Sequence, residues 1–118
     1  MLEYSDLPKS DKKIIQELLK LGTQRMFREG LEKAESVIEK WRKFSADGDS
    51  DKNFYMSLYK TMIDQDKLIG RRFDGLSGSR FVITVAGLFV NGILKEDDLE
   101  GLTQETYDFL LRFKNTFG

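Results

Sequence analysis

The chain contains no histidine and no cysteine. Without histidine there is no Ser-His or Cys-His nucleophile system, no histidine phosphorelay and none of the usual zinc ligand sets. Any catalysis would have to rest on carboxylates, Lys, Tyr, Ser or Thr. Without cysteine no disulfide can staple a small fold, which favours a reducing compartment. Large charge of one sign is also missing. Lys and Arg number 19 and Asp and Glu 20, so the net charge of −1 gives no global attraction to nucleic acid or anionic lipid. The longest uncharged run, Phe81 to Leu94, is shorter than the ~20 residues a membrane-spanning helix needs. The first residues, Met1-Leu2-Glu3-Tyr4-Ser5-Asp6, are polar and acidic and do not read as a signal peptide. A cytoplasmic protein with no membrane contact is the expectation.

What is present suits one helical domain. A length of 118 residues with 40% hydrophobic content and nine Phe can build a single core. One Pro, ten Gly and no low-complexity tract argue against disorder. Residues 1–9 read as an extended lead-in ending at Pro8, and residues 10–118 as a single domain. Ser10 can cap the first helix, with Asp11 favouring the positive end of its dipole. Ile14, Ile15, Leu18, Leu19 and Leu21 recur at helical spacing, and Gly30 is the expected break. A second run follows: Leu31, Ala34, Val37, Ile38, Trp41 and Phe44. Ser45 to Asp51 reads as a loop. A third helix is expected over about 52–73, with Tyr55, Leu58, Tyr59, Met62, Ile69 and Phe73 on one stripe and Asp66 falling on the same stripe. A short acidic helix near 95–100 and a last helix capped by Thr103 complete the pattern.

The segment Phe81–Val90 is ambiguous, because its β-branched residues also suit a strand. A helix is preferred, since an isolated hairpin would leave two strand edges to protect. The fold class expected is therefore all-α, a compact bundle of five to six helices around a buried apolar helix at 81–92. Asp74-Gly75-Leu76-Ser77 and Glu100-Gly101-Leu102-Thr103 share one grammar, and Glu29-Gly30-Leu31 shares its first half. Gly closes a helix with positive φ, Leu tucks onto the core, and Ser or Thr caps the next helix.

Three patterns could carry chemistry. Asp47, Asp49 and Asp51 have the 1-3-5 spacing of a calcium loop, but Lys52 stands where Gly is needed and Leu58 where a bidentate Glu is needed. A solvated loop is the expectation there. Glu29-x-x-Glu32 or Glu32-x-x-Glu35 could form one half of a carboxylate metal site, with Glu105-x-x-Asp108 the other. That pattern resembles the magnesium sites of all-α nucleotide pyrophosphohydrolases, and the resemblance would imply a carboxylate-metal nucleotide hydrolase. Pairs of this kind are common on the solvated faces of acid-rich helices.

The third pattern is the Gly/Ser loop bracketed by Arg71, Arg72 and Arg80. Ser77 and Ser79 would offer hydroxyls and backbone N–H groups at the start of the apolar helix, a setting that attracts anions. The bland alternative is that a Ser is a helix cap and the arginines pair with nearby acids. In a helix, Arg80, Thr84, Gly87 and Asn91 share one side, marking a close crossing at Gly87 or the wall of a pocket. Asp66, an acid on an apolar stripe, wants a partner, and Arg80 is the expected one. Candidate ligand- or partner-binding residues are thus Arg71, Arg72, Ser77, Ser79, Arg80, Thr84, Asn91 and Asp66. No catalytic residue, metal ligand or cofactor is assigned. The expected function is non-catalytic and regulatory, through an unidentified protein partner or self-association; anion or phosphate binding at the arginine loop is the first alternative.

Overall fold

The computed structural model describes residues 2–118. The described residues are all-helical, with no strand. Four α-helices follow one another: α1 (Lys9–Phe44), α2 (Gly48–Phe73), α3 (Phe81–Val90) and α4 (Gln104–Phe117). Short 3-10 turns lie at Tyr4–Asp6, Gly78–Arg80 and Glu96–Leu99. The chain divides into two compact units, residues 2–24 with 75–118, and residues 25–74.

Four α-helices stand where five or six were expected, and the difference begins at Gly30. It does not break α1, which runs unbroken for 36 residues. A helical Gly costs about 1 kcal/mol against Ala, but at Gly30 a Cβ would lie 2.9 Å from Gln65 Cγ. The missing side chain is the room that Gln65 occupies. The acidic stretch near 95–100 is a 3-10 turn rather than an α-helix. The start of α1 also differs, at Lys9 rather than after a Ser10 cap. Proline restricts the residue before it to extended conformations, and Leu7 has φ −72° and ψ 149°. The Pro8 carbonyl then accepts from the Lys12 N–H at 3.0 Å.

Residues 2–24 and 75–118 carry a dry core. Leu7, Ile15, Leu18 and Leu19 are buried here, as are Leu94, Leu99 and Leu110. From α3 come Val82, Val85, Ala86, Leu88 and Phe89, the last four fully covered. Each such side chain is worth roughly 1.5–3 kcal/mol over leaving it exposed. The α1 backbone approaches closely at Gly22, where an added Cβ would meet Leu88 Cδ1 at 2.6 Å. Tyr4 meets Phe81 edge to face at 4.9 Å, and Lys114 Nζ sits 4.5 Å from the Phe89 ring centre. Phe81–Val90 is helical, as preferred, but it is not covered all round: Thr84, Gly87 and Val90 remain half-exposed. The Gly-Leu-Ser/Thr joints behave as read at their glycines, with φ +65° at Gly75 and +93° at Gly101.

One polar group anchors this unit. Asp11 is fully buried, and it does not simply face the start of its own helix. Its carboxylate accepts the Thr103 backbone N–H at 2.9 Å, the Thr103 hydroxyl at 2.5 Å and the Thr106 hydroxyl at 2.6 Å. Thr103 is the N-cap residue of α4, but its hydroxyl makes no cap bond to that helix. The hydroxyl goes to Asp11 instead, ninety-two positions away, which places an anion near the positive end of α4. Burial alone would push its carboxyl up; the bonds from Thr103 and Thr106 outweigh burial and hold it below its ordinary value.

Residues 25–74 form a helical hairpin of the second half of α1 and all of α2. The turn is shorter than expected, because α2 begins at Gly48 rather than near Lys52. Asp47 caps it, accepting from Ser50 N at 2.9 Å. Asp51 Oδ1 accepts from Trp41 Nε1 at 2.8 Å and from Ser45 Oγ at 2.5 Å, which ties the end of α1 to the first turn of α2. Those donors, Ser50 at Asp47, and Ser45 then Trp41 at Asp51, hold both exposed carboxyls below their ordinary values. The three acids of the calcium-like spacing thus build a helix start.

Candidate functional site

The hairpin has few buried side chains. Gln65 is 3% exposed, with Nε2 donating to the Met26 carbonyl at 2.8 Å and Oε1 accepting from Lys33 Nζ at 2.9 Å. Lys33 also pairs with Glu29 at 3.0 Å. Met26 is the buried apolar residue of this unit. The large side chains that ought to form a core lie open instead. On α1, Phe27, Leu31, Ile38 and Trp41 are 56%, 66%, 38% and 40% exposed. On α2, Tyr55, Tyr59 and Met62 are 69%, 58% and 40% exposed.

These residues share one face. Val37, Ile38, Trp41, Phe54, Tyr55 and Leu58 line a groove of about 690 Å³ between the two helices. Leu31 lies seven residues before Ile38, and Met62 seven after Tyr55, so each falls on the groove side of its helix. Phe27, Leu31, Ala34, Ile38 and Trp41 follow one another at steps of four and three, and so do Tyr55, Tyr59 and Met62. That is the alternation of three and four by which helix stripes mesh with other helices. The opposite face is more polar, with Glu29, Lys33 and Lys40 on α1 and Lys60 paired to Asp64 at 2.8 Å on α2, although Met56 and Leu68 stand exposed one turn to either side of that pair.

The residues singled out from the sequence lie elsewhere. Ser77 and Ser79 are exposed, and their hydroxyls bond one another at 3.1 Å. Arg80 is exposed at the N-cap of α3 and makes no cap bond. Thr84 is half-buried. Asn91 ends α3, its Nδ2 donating to the Gly87 carbonyl at 2.9 Å. Among the described residues no close crossing exists at Gly87, where an added Cβ would meet nothing within 4 Å; a close approach is at Gly22. Arg71 is exposed, while Arg72 is half-buried with Nη1 3.9 Å from Met26 Sδ. Asp66 is exposed, which removes the reason for pairing it with Arg80; the buried polar group on α2 is its neighbour Gln65.

A shallow depression of about 400 Å³ brings together Asp66, Lys67, Gly70, Arg71 and Asp74. Two acids there offset two cations. Among the described residues no cluster of three acids is placed to hold a metal ion. Among the described residues, too, no single helix is long and apolar enough to cross a membrane. Sequence reasoning did not single out the hairpin face as open. Its apolar periodicity was visible, but periodicity says which side is apolar and not whether the chain itself covers it. No family model, curated protein or solved structure matches the chain.

Proposed function

We propose that the protein acts through protein–protein contact, without catalysis of its own, and that the open face of the 25–74 hairpin is its contact surface. The observation that carries this reading is the exposure of Phe27, Leu31, Ile38, Trp41, Tyr55 and Tyr59 on one side of the hairpin, with Ile38, Trp41 and Tyr55 lining its groove. Contiguous apolar patches above a few hundred Å² are rare on monomers and mark places where another molecule binds. Large aromatics are also the side chains that most often dominate interface energies. The aromatics Trp41, Tyr55 and Tyr59 gather on this side, while the opposite one carries the Glu29–Lys33 and Lys60–Asp64 pairs. The anion-binding alternative draws less support, because Asp66 and Asp74 offset Lys67 and Arg71 in their depression.

A photo-reactive phenylalanine analogue at position 31 or 59 tests this in cells that make the protein. Adducts to protein should form on illumination from both positions and not from the same probe at 40 or 60 on the polar side. Equal yields from the two faces would overturn the reading.

A further inference from the structure

We infer that the occupant of the hairpin face is a second copy of this chain, two hairpins packing face to face as a four-helix bundle. The inference rests on the contact reading above and names its partner. Area comes first. The seven side chains at 27, 31, 38, 41, 55, 59 and 62 leave on the order of 800 Å² uncovered, with aromatics carrying ~150–250 Å² each when fully open. A standard interface buries about 800 Å² on each partner, so one such face against another reaches a stable dimer. Shape comes second. The seam is double, one stripe on α1 and one on α2 beside a shared groove, and each keeps the alternation of three and four that meshes with helices. What matches a two-helix face is another two-helix face, and this chain supplies one.

Charge selects the arrangement. Gln65 bonds to the Met26 carbonyl and fills the room at Gly30, so residues 65 and 66 stand level with residues 26–30 along the hairpin. A two-fold axis running along the hairpin would lay α1 of each copy over α2 of the other at unchanged level. Asp66 of one copy then faces the partner's Arg28. Both residues are exposed, and neither carries an ion pair among the described residues. Asp66 interrupts the apolar stripe of α2, and Arg28 borders Phe27 and Leu31 on α1. An unpaired acid on a docking seam, set level with an unpaired cation bordering the facing stripe, is how helical bundles fix orientation.

Sedimentation of the purified full chain over a wide concentration range is the test. A reversible monomer–dimer equilibrium is expected. Leu31→Glu with Tyr59→Glu should give a monomer with undiminished helical circular dichroism, since both sites are exposed. Asp66→Lys alone and Arg28→Glu alone should each weaken the dimer at least about tenfold, and the double exchange should restore most of the loss. A monomer at every concentration overturns the inference, as does a dimer untouched by the Leu31/Tyr59 pair or a double exchange as weak as the sum of its parts. The photo-probe at 31 separates the two readings. Adducts only to other proteins remove the second copy and leave the contact function standing. Adducts to this same chain support both.

Discussion

The two units of this chain use apolar side chains in opposite ways. In residues 2–24 and 75–118, Phe89, Leu88, Leu94 and Leu110 are fully covered. In residues 25–74, side chains of the same size line up just as regularly and stay open. Amphipathic spacing is present in both, so spacing is not what separates them. The difference is whether the chain supplies a covering layer. The first unit has α3 and α4 to lay over the start of α1; the second has two helices and one open groove between them. A helix pair cannot bury both its stripes on itself. The contrast teaches where stability resides and which surface is left for the proposed contact.

Truncating one aromatic in each unit breaks the comparison most sharply. Phe89→Ala should cost about 4 kcal/mol, because it opens a cavity in a dry core. Tyr59→Ala should move stability by no more than about 0.5 kcal/mol while the chain is monomeric. Urea unfolding of dilute protein, followed by circular dichroism, reads both. Equal losses would mean that the hairpin face is covered within the monomer. Hydrogen exchange sharpens the same point: amides of α3 should outlast those of α2 near Tyr55 in dilute samples.

Asp11 comes next. Asp11→Asn should cost about 2–3 kcal/mol, since the carboxylate receives three hydrogen bonds and an amide cannot accept them all. The pH dependence has a definite sign. The folded carboxyl titrates below its ordinary value, so at a pH near the unfolded value of about 3.9 the unfolded chain binds more protons than the folded one. The stabilisation is therefore complete above that pH and is lost as pH falls through the folded pKa. In Asp11→Asn the acid limb of a stability–pH curve should be shallower than in the parent. An unchanged acid limb would show that the buried carboxylate is not what titrates.

The sequence let some of this be read and hid the rest, for physical reasons. The helicity of Phe81–Val90 followed from its helical neighbours despite its β-branched residues, and the positive φ of Gly75 and Gly101 from the joints they occupy. Local rules suffice for such features. Asp11 defeated them, because its partners are Thr103 and Thr106, far along the chain, and seen from its own end it looks like an ordinary first-turn acid. Gly30 defeated them as well, since whether glycine breaks a helix depends on what fills the space beside it, here Gln65. Of the residues proposed as a site, Ser77 and Ser79 bond one another, Asn91 bonds the Gly87 carbonyl and Arg80 stands exposed. The hairpin face needed knowledge of coverage, which no periodicity contains.

Two glycines of the covered unit give the smallest and most discriminating effects. Gly22→Ala puts a Cβ 2.6 Å from Leu88 Cδ1 and 3.3 Å from its Cδ2, inside a core where Leu88 is fully buried. Overpacking of about 1–3 kcal/mol should exceed the propensity gain of about 1 kcal/mol, so the net effect is a loss of roughly 1 kcal/mol. Gly87→Ala meets nothing within 4 Å and lies inside α3 with an ordinary helical backbone. There the propensity gain stands alone, and stability should rise by about 0.5–1 kcal/mol. Opposite signs from one substitution in one unit would locate the close helix approach at Gly22 and leave the side of α3 that carries Thr84 and Gly87 facing open space. If Gly87→Ala instead destabilised the protein, that side would be in tight contact with something, and the covered unit would then carry a second surface to explain.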